Sequence, residues 1–318
     1  MTAPDPAPPR RLAFVDACRG FSVLAMLFAN LLNVFLRHVP TGLRHNQGDV
    51  LRPLDFPAPM FQFLIGVSLV LYLGKRSRQG STAAARLQAM RRFTLLLVLG
   101  VLLDSVGALR VEPRWGVLQT LAEGGLLATL LASASDPVLA ALAVGLLALF
   151  SGTWNGEVHS GPLAALAFVP LTLGGVLVGR GLESPTPQRS CALRAAVLAL
   201  GSGALAAVFF RAGVPFNKVI GTSSFVALAV AVSAAALGAL AGLEALGLVS
   251  PRWLVSIGQY ALNAWVLQYV LVFYPAWLLF PGWRRLAFRI GLVVVVAITS
   301  AVAALAVVLG RRGFRVPI

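Results

Sequence analysis

The densest chemistry in this sequence lies in one short stretch, Arg44-His45-Asn46-Gln47-Gly48-Asp49, followed closely by Asp55, Pro57 and Pro59. A histidine titrates near neutral pH and is the natural general base there. A neighbouring carboxylate such as Asp55 can fix its tautomer and raise its basicity. Taken by itself, a loop histidine beside an aspartate reads first as a solvated loop residue. His38, after Arg37, and His159, in a Gly/Ser loop, stand in blander settings. Three histidines and two cysteines (Cys18 and Cys191) without a Cys/His cluster predict no metal site and no disulfide framework.

A second set of polar residues falls inside apolar runs, where ionisable groups are expensive and tend to mark function. Asp16 and Arg19 lie at i, i+3 on one helical face. They are either a local ion pair at the membrane interface or a pair that anchors a polar group entering from the cytoplasm. Asp104 and Glu123 have Arg110 and Arg114 as their nearest candidate partners in sequence. Asn30, Gln119, Asn217, Asn263 and Gln268 are costly to bury without hydrogen bonds. They imply either a polar cavity inside a bundle or helix-to-helix hydrogen bonding.

The elements that must position these residues are helices in a membrane. Of 318 residues, 58% are hydrophobic and 12% charged, against about 45–50% and about 25% for a soluble domain. That balance excludes an ordinary globular protein, a disordered chain and a nucleic-acid-binding module. It predicts an all-α polytopic membrane protein. Apolar runs between polar punctuation give about ten transmembrane helices, at 13–36, 57–74, 93–109, 116–133, 137–153, 162–179, 194–211, 219–244, 253–279 and 286–309. Residues 1–11 read as a proline-rich, disordered cytoplasmic leader rather than a cleaved signal. Residues 12–312 read as a single transmembrane domain, and 313–318 as a cytoplasmic tail. Gly175-x-x-x-Gly179 and Gly238-x-x-x-Gly242 have the spacing that lets helix backbones approach.

The formal charge of +15 fits loops facing anionic lipid, or pockets for an anionic ligand. With the N-terminus inside, fifteen Lys/Arg fall in inner segments and ten in outer ones, Arg19 lying within the first span. The six cations between Lys75 and Arg92 decide the orientation, and both termini are expected in the cytoplasm. The expected location is the cell (inner or plasma) membrane.

Arg11-Leu12-Ala13-Phe14-Val15-Asp16-Ala17-Cys18-Arg19-Gly20, then Met26-x-Phe28-x-Asn30, resembles the opening of the heparan-alpha-glucosaminide N-acetyltransferase family, in the manner of its shorter bacterial members. That family has a catalytic histidine ten residues before the Asp of an Asp-x-x-x-Pro-x-Phe-x-Phe-x-x-Gly signature. Asp55, Pro59, Phe61, Phe63 and Gly66 reproduce the signature, and His45 stands ten before Asp55. Gly116-Val117-Leu118-Gln119 and Pro215-x-Asn217-Lys218 with Thr222 to Phe225 resemble two further family segments. Gly258-x-x-Ala261-Leu262 is similar more loosely, with Tyr260 where the family has Asn. Gly48-Asp49-Val50 replaces the family's Trp-Asn-Gly, Thr120 replaces an Arg, and His45 lies farther from Asn30 than the pattern has it.

The resemblance implies acyl transfer through the bundle, from cytoplasmic acetyl-CoA to an amino sugar at the outer side. It implies His45 as general base, Asp55 orienting it, and Asn30 hydrogen-bonding the developing oxyanion. Arg19, Asp16, Lys75, Arg76, Arg78 and Gln119 are the expected donor-binding residues, the cations meeting the phosphates of CoA. Acetyl-CoA is thus expected as co-substrate without a metal, with membrane lipids and an amino-sugar or glycan acceptor as partners and a homodimer compatible with the family. Direct transfer and an acetyl-histidine intermediate both fit. Two other readings stay open: O-acylation of a surface glycan, and a transporter or ligand-binding membrane protein without turnover.

Overall fold

The computed structural model describes residues 12–45, 48–112, 114–153, 156–280 and 286–316. The expected leader, Arg284, Arg285 and the last two residues of the expected tail lie outside them. Among the described residues 80% are helical, and no strand occurs. In chain order the helices are α1 (Ala13–Phe35), α2 (Pro57–Gln79), α3 (Thr82–Ala108), α4 (Val117–Leu130), α5 (Asp136–Thr153), α6 (Pro162–Ala165), α7 (Val169–Gly179), α8 (Pro187–Arg211), α9 (Ser223–Ala245), α10 (Arg252–Gln259), α11 (Ala261–Gln268) and α12 (Phe288–Arg311). After α11 the helix widens into π turns over Tyr269–Phe273 and Pro275–Leu279.

Ten spans were expected; seven helical stretches among the described residues are long and apolar enough to cross a membrane. The runs at 116–133 and 137–153 fold as shorter apolar helices, Val117–Leu130 and Asp136–Ser151. The run at 93–109 is the later part of α3, whose apolar stretch is bounded by Arg91, Arg92 and Asp104.

Three apolar clusters form the core, the third around Leu69, Leu139 and Leu173, and α1 contributes to the two larger ones. Its N-terminal turns (Phe14, Val15, Cys18) join Phe63, Val67, Leu171, Phe225 and Leu237 of α2, α7 and α9. Its later turns (Val23, Leu27, Leu31, Phe35) pack with Leu121, Trp265, Val295 and Val302 of α4, α11 and α12. Helices at the margin bury little. The apolar window over 162–183 is 78% buried and that of α8 only 11%, so α8 offers its Leu and Val side chains to lipid.

Close backbone crossings hold the inner helices. A side chain at Gly66 would run into the Thr172 carbonyl and one at Gly175 into the Phe63 carbonyl, so glycine is needed where α2 meets α7. Gly179 packs against Val67 in the same seam, so the Gly175/Gly179 spacing marks a true helix contact. Gly238 meets Ala195 between α8 and α9, whereas Gly242 faces open space.

Hydrogen bonds sort the connections onto two ends of the bundle. At one end, the start of α1 meets the end of α9 (Phe14 N to Glu244 Oε2, 3.1 Å), and Arg311 of α12 meets Ser256 of α10 (3.2 Å). At the other, the segment after α1 reaches the one after α8 (Asn217 Nδ2 to Asp49 Oδ1, 2.8 Å), which in turn pairs with the one after α5 (Val158 N to Val219 O, 2.8 Å).

Candidate active site

The second end holds a small chamber of about 80 Å³ whose walls include Asn30, His45, Thr120, His159 and Lys218. Four separate connections or helix ends thus converge on one space.

His45 is placed by Asn33. The Asn33 amide donates to the Ala29 carbonyl (3.1 Å) and its nitrogen stands 3.0 Å from His45 Nε2. A primary amide has two hydrogens. With one on Ala29, the other meets Nε2, which must accept; hydrogen-bond bookkeeping therefore assigns the proton of neutral His45 to Nδ1. Nε2 is the basic nitrogen.

Asp55 is buried; its Oδ2 accepts from the Arg52 backbone N–H (3.0 Å) and its Oδ1 lies 3.9 Å from Lys218 Nζ. The loop carrying Lys218 is wired by its own sequence. Asn217 Oδ1 accepts from the N–H groups of Val219 and Ile220 (2.9 and 3.2 Å), closing a side-chain turn around Lys218. Thr222 Oγ1 accepts from Asn217 N (2.9 Å) and donates to the Pro215 carbonyl (2.7 Å). This is the physical content of the Pro-x-Asn-Lys…Thr-Ser-Ser segment. Asp49, one of the departures from the family pattern, ties that loop to the His45 segment.

Burial pushes the Lys218 ammonium down to about 8, with Asp55 holding part of it up. His159 goes down to about 4, first through burial, then through the charges of Lys218 and Arg114, a hydrogen bond to the Trp115 backbone opposing. At neutral pH it is an uncharged imidazole. Its Nδ1 is 3.3 Å from Thr120 Oγ1. That hydroxyl also donates to the Gly116 carbonyl (3.0 Å).

The first end opens into a larger cavity of about 590 Å³. Arg19, Arg92 and Arg315 line it, and no acidic residue does among the described residues. Arg19 is fixed by Asp16 (2.7 Å) and Ser68 (2.6 Å), and Arg92 lies over the Tyr72 ring, 5.1 Å from its centroid. The break between α10 and α11 at Tyr260 falls in this wall, where irregular backbone can border a cavity. The two spaces share Met26, Val117, Leu121 and Trp265 as wall residues.

Of the residues singled out in sequence, the structure brings His45 and Asn30 into the chamber, with Asp55 beneath Lys218. Asn30 Nδ2 reaches Gln268 Oε1 at 3.5 Å. Arg19 lines the large cavity and Asp16 supports it from behind. Lys75 and Arg76 are exposed and line neither space, and Arg78 borders a separate hollow with Arg86 and Arg180. Gln119 is a brace, donating to Asp104 Oδ2 (2.9 Å) and to the Arg114 carbonyl (3.1 Å). Arg110 pairs with Glu112. Sequence reasoning missed Asn33, His159, Arg92 and Arg315. Asn33 shared its helix with the chosen Asn30, and nothing local distinguished His159.

Fold and site together define a class, a helical membrane protein with a polar chamber at one end of its bundle and a cation-lined cavity at the other. The sequence model of the family described as heparan-alpha-glucosaminide N-acetyltransferase, catalytic, matches residues 11–173, about half of the chain. The chain belongs to that family and is a membrane acyltransferase. The match covers His45, Asn30, Asp55, Gln119 and His159 and ends before Lys218. Among curated proteins, none matches the chain.

Proposed function

We propose that the protein transfers an acetyl group from acetyl-CoA, held in the large cavity, to an amino-sugar acceptor at the chamber end. The observation that carries this reading is the shared wall of the two spaces, Met26, Val117, Leu121 and Trp265, with cations on one side and imidazoles on the other. The phosphates of CoA suit the Arg19 and Arg92 side, whereas the thin acyl-bearing arm suits a passage between apolar side chains.

In the chamber the acceptor nitrogen attacks the thioester carbonyl, and His45 Nε2 takes its proton as the Asn33 amide yields that position. The tetrahedral oxyanion takes a hydrogen bond from the Asn30 amide and feels the Lys218 ammonium. Collapse expels the CoA thiolate, which the proton on His45 neutralises. Direct transfer is the simpler course, since both reactants meet in one space. The excess of inner cations supports an orientation with the large cavity facing the cytoplasm of a cell membrane.

The test is acetyl-CoA turnover by the purified chain in detergent with glucosamine as acceptor, beside His45→Ala. Turnover lost in the variant is expected. Turnover that persists removes His45 from the reaction, and acetylation of hydroxyl acceptors alone replaces N-transfer by O-transfer.

A further inference from the structure

The segment after α12 is built into the large cavity by four sequence features. Gly313, at φ +92°, ends the helix in the left-handed region. The Phe314 N–H then closes back on the Leu309 carbonyl (3.0 Å) and Gly313 N–H on Gly310 (3.3 Å), a glycine-terminated helix end that fixes the exit direction. Gly310 leaves room for the Tyr260 ring to lie against α12. Asn263 then clamps the strand that follows: its Nδ2 donates to the Phe314 carbonyl (2.8 Å) and its Oδ1 accepts from Val316 N (3.1 Å). Between those two bonds stands Arg315, its guanidinium 5.6 Å from the Tyr260 centroid and in the cavity wall.

Such a clamp is more than an extended tail needs, and it delivers a cation. Arg19 is committed to Asp16 and Ser68. Arg315 carries five N–H donors, and among the described residues its recorded contact is the face of Tyr260, which takes none of them in plane. A planar cation on an aromatic face, beside a second such pair at Arg92 and Tyr72, suits a phosphate together with a flat heterocycle.

We propose that residues 313–316 complete the acyl-donor site, with Arg315 binding a phosphate of the donor's nucleotide and Asn263 positioning it. The inference rests on the donor assignment made above. It makes the tail part of the ligand site and shifts phosphate recognition from Lys75 and Arg76 to Arg315.

The experiment is the equilibrium dissociation constant of CoA for the purified full-length chain in detergent, with thermal melting as a control for folding. A charge series at one position separates a phosphate contact from a packing role. Arg315→Gln is expected to weaken CoA about tenfold, the loss of one charge-assisted hydrogen bond. Arg315→Lys should bind better than Arg315→Gln, and Arg315→Glu worse than either. Asn263→Ala, which frees the segment, should follow Arg315→Gln. Wild-type affinity throughout the series overturns the proposal, as does an equal loss whatever the charge. Failure of the wild-type chain to bind CoA removes the donor assignment, and this inference with it.

Discussion

The two ends of the bundle are built in opposite ways. The large cavity is wide, and its three arginines lie on aromatic rings or a neighbouring side chain, suited to a highly charged group that stays partly hydrated. The chamber is several times smaller, and its half-buried His45, His159 and Lys218 interlock with buried Asp55 and with one another's neighbours across segments distant in sequence. The first arrangement tolerates a variable solvent shell. The second fixes protonation states, because burial penalises any charge lacking a partner. Under the proposed function this is a division of labour: charge attraction for holding, desolvation for chemistry.

Four substitutions test that division. His45→Ala has the largest expected effect, a loss of acetyl transfer of about 10²- to 10⁴-fold, with CoA binding retained, because the base lies at one end and the phosphates at the other. Loss of CoA binding in this variant would show that the ends are not separable. Lys218→Met comes next. It removes the ammonium 3.9 Å from the buried Asp55 carboxylate, and removing one partner of a buried pair costs up to about 3–5 kcal/mol, to be read in thermal or denaturant unfolding. A melting point equal to wild type would mean that the Lys218–Asp55 pair contributes nothing to stability.

Gly66→Ala probes the helix that lines both spaces. Its methyl would enter the Thr172 carbonyl, so α2 and α7 must part at a cost of about 1–3 kcal/mol, and both transfer and CoA affinity should fall together. A change in only one of them would assign α2 to a single end. His159→Gln has the smallest effect and concerns acid alone. Folded His159 titrates near 4, below the ordinary 6.5 of the unfolded chain. Between those values the unfolded chain binds a proton that the folded one refuses, so stability falls as the pH drops from about 6.5 towards 4. The wild-type melting point should therefore decline more steeply over this window than that of His159→Gln, by roughly 2–4 °C per kcal/mol of linkage. Parallel curves would show His159 to be hydrated.

Much of this architecture was readable in advance for a simple reason. In a membrane every backbone polar group must be satisfied internally, so long apolar runs such as 219–244 and 286–309 are helices before any packing is known. The spacing from His45 to Asp55 and the Pro59-x-Phe61-x-Phe63-x-x-Gly66 pattern likewise carried the family, and Gly175 and Gly179 announced a close crossing. Segments with mixed signals were less legible. Val117–Leu130 is apolar but short, and α3 opens with arginines, so a count of spans from hydropathy alone exceeded the number of helices long and apolar enough to cross.

The sequence by itself determined the helices, their apolar character and the family, because each depends on composition or on short-range spacing. Only the tertiary structure decided which polar residues meet. Asn33 meets His45 while Asn30 meets Gln268, since one more helical turn carries Asn33 to the end of the bundle where that loop folds back. Lys218 reaches Asp55 across more than 160 residues of chain, and Arg315 reaches the cavity through Asn263. Those pairings are set by the way α1 contributes to two of the apolar clusters, with a seam between them. A seam is a property of packed surfaces, and no single segment contains the information that locates it.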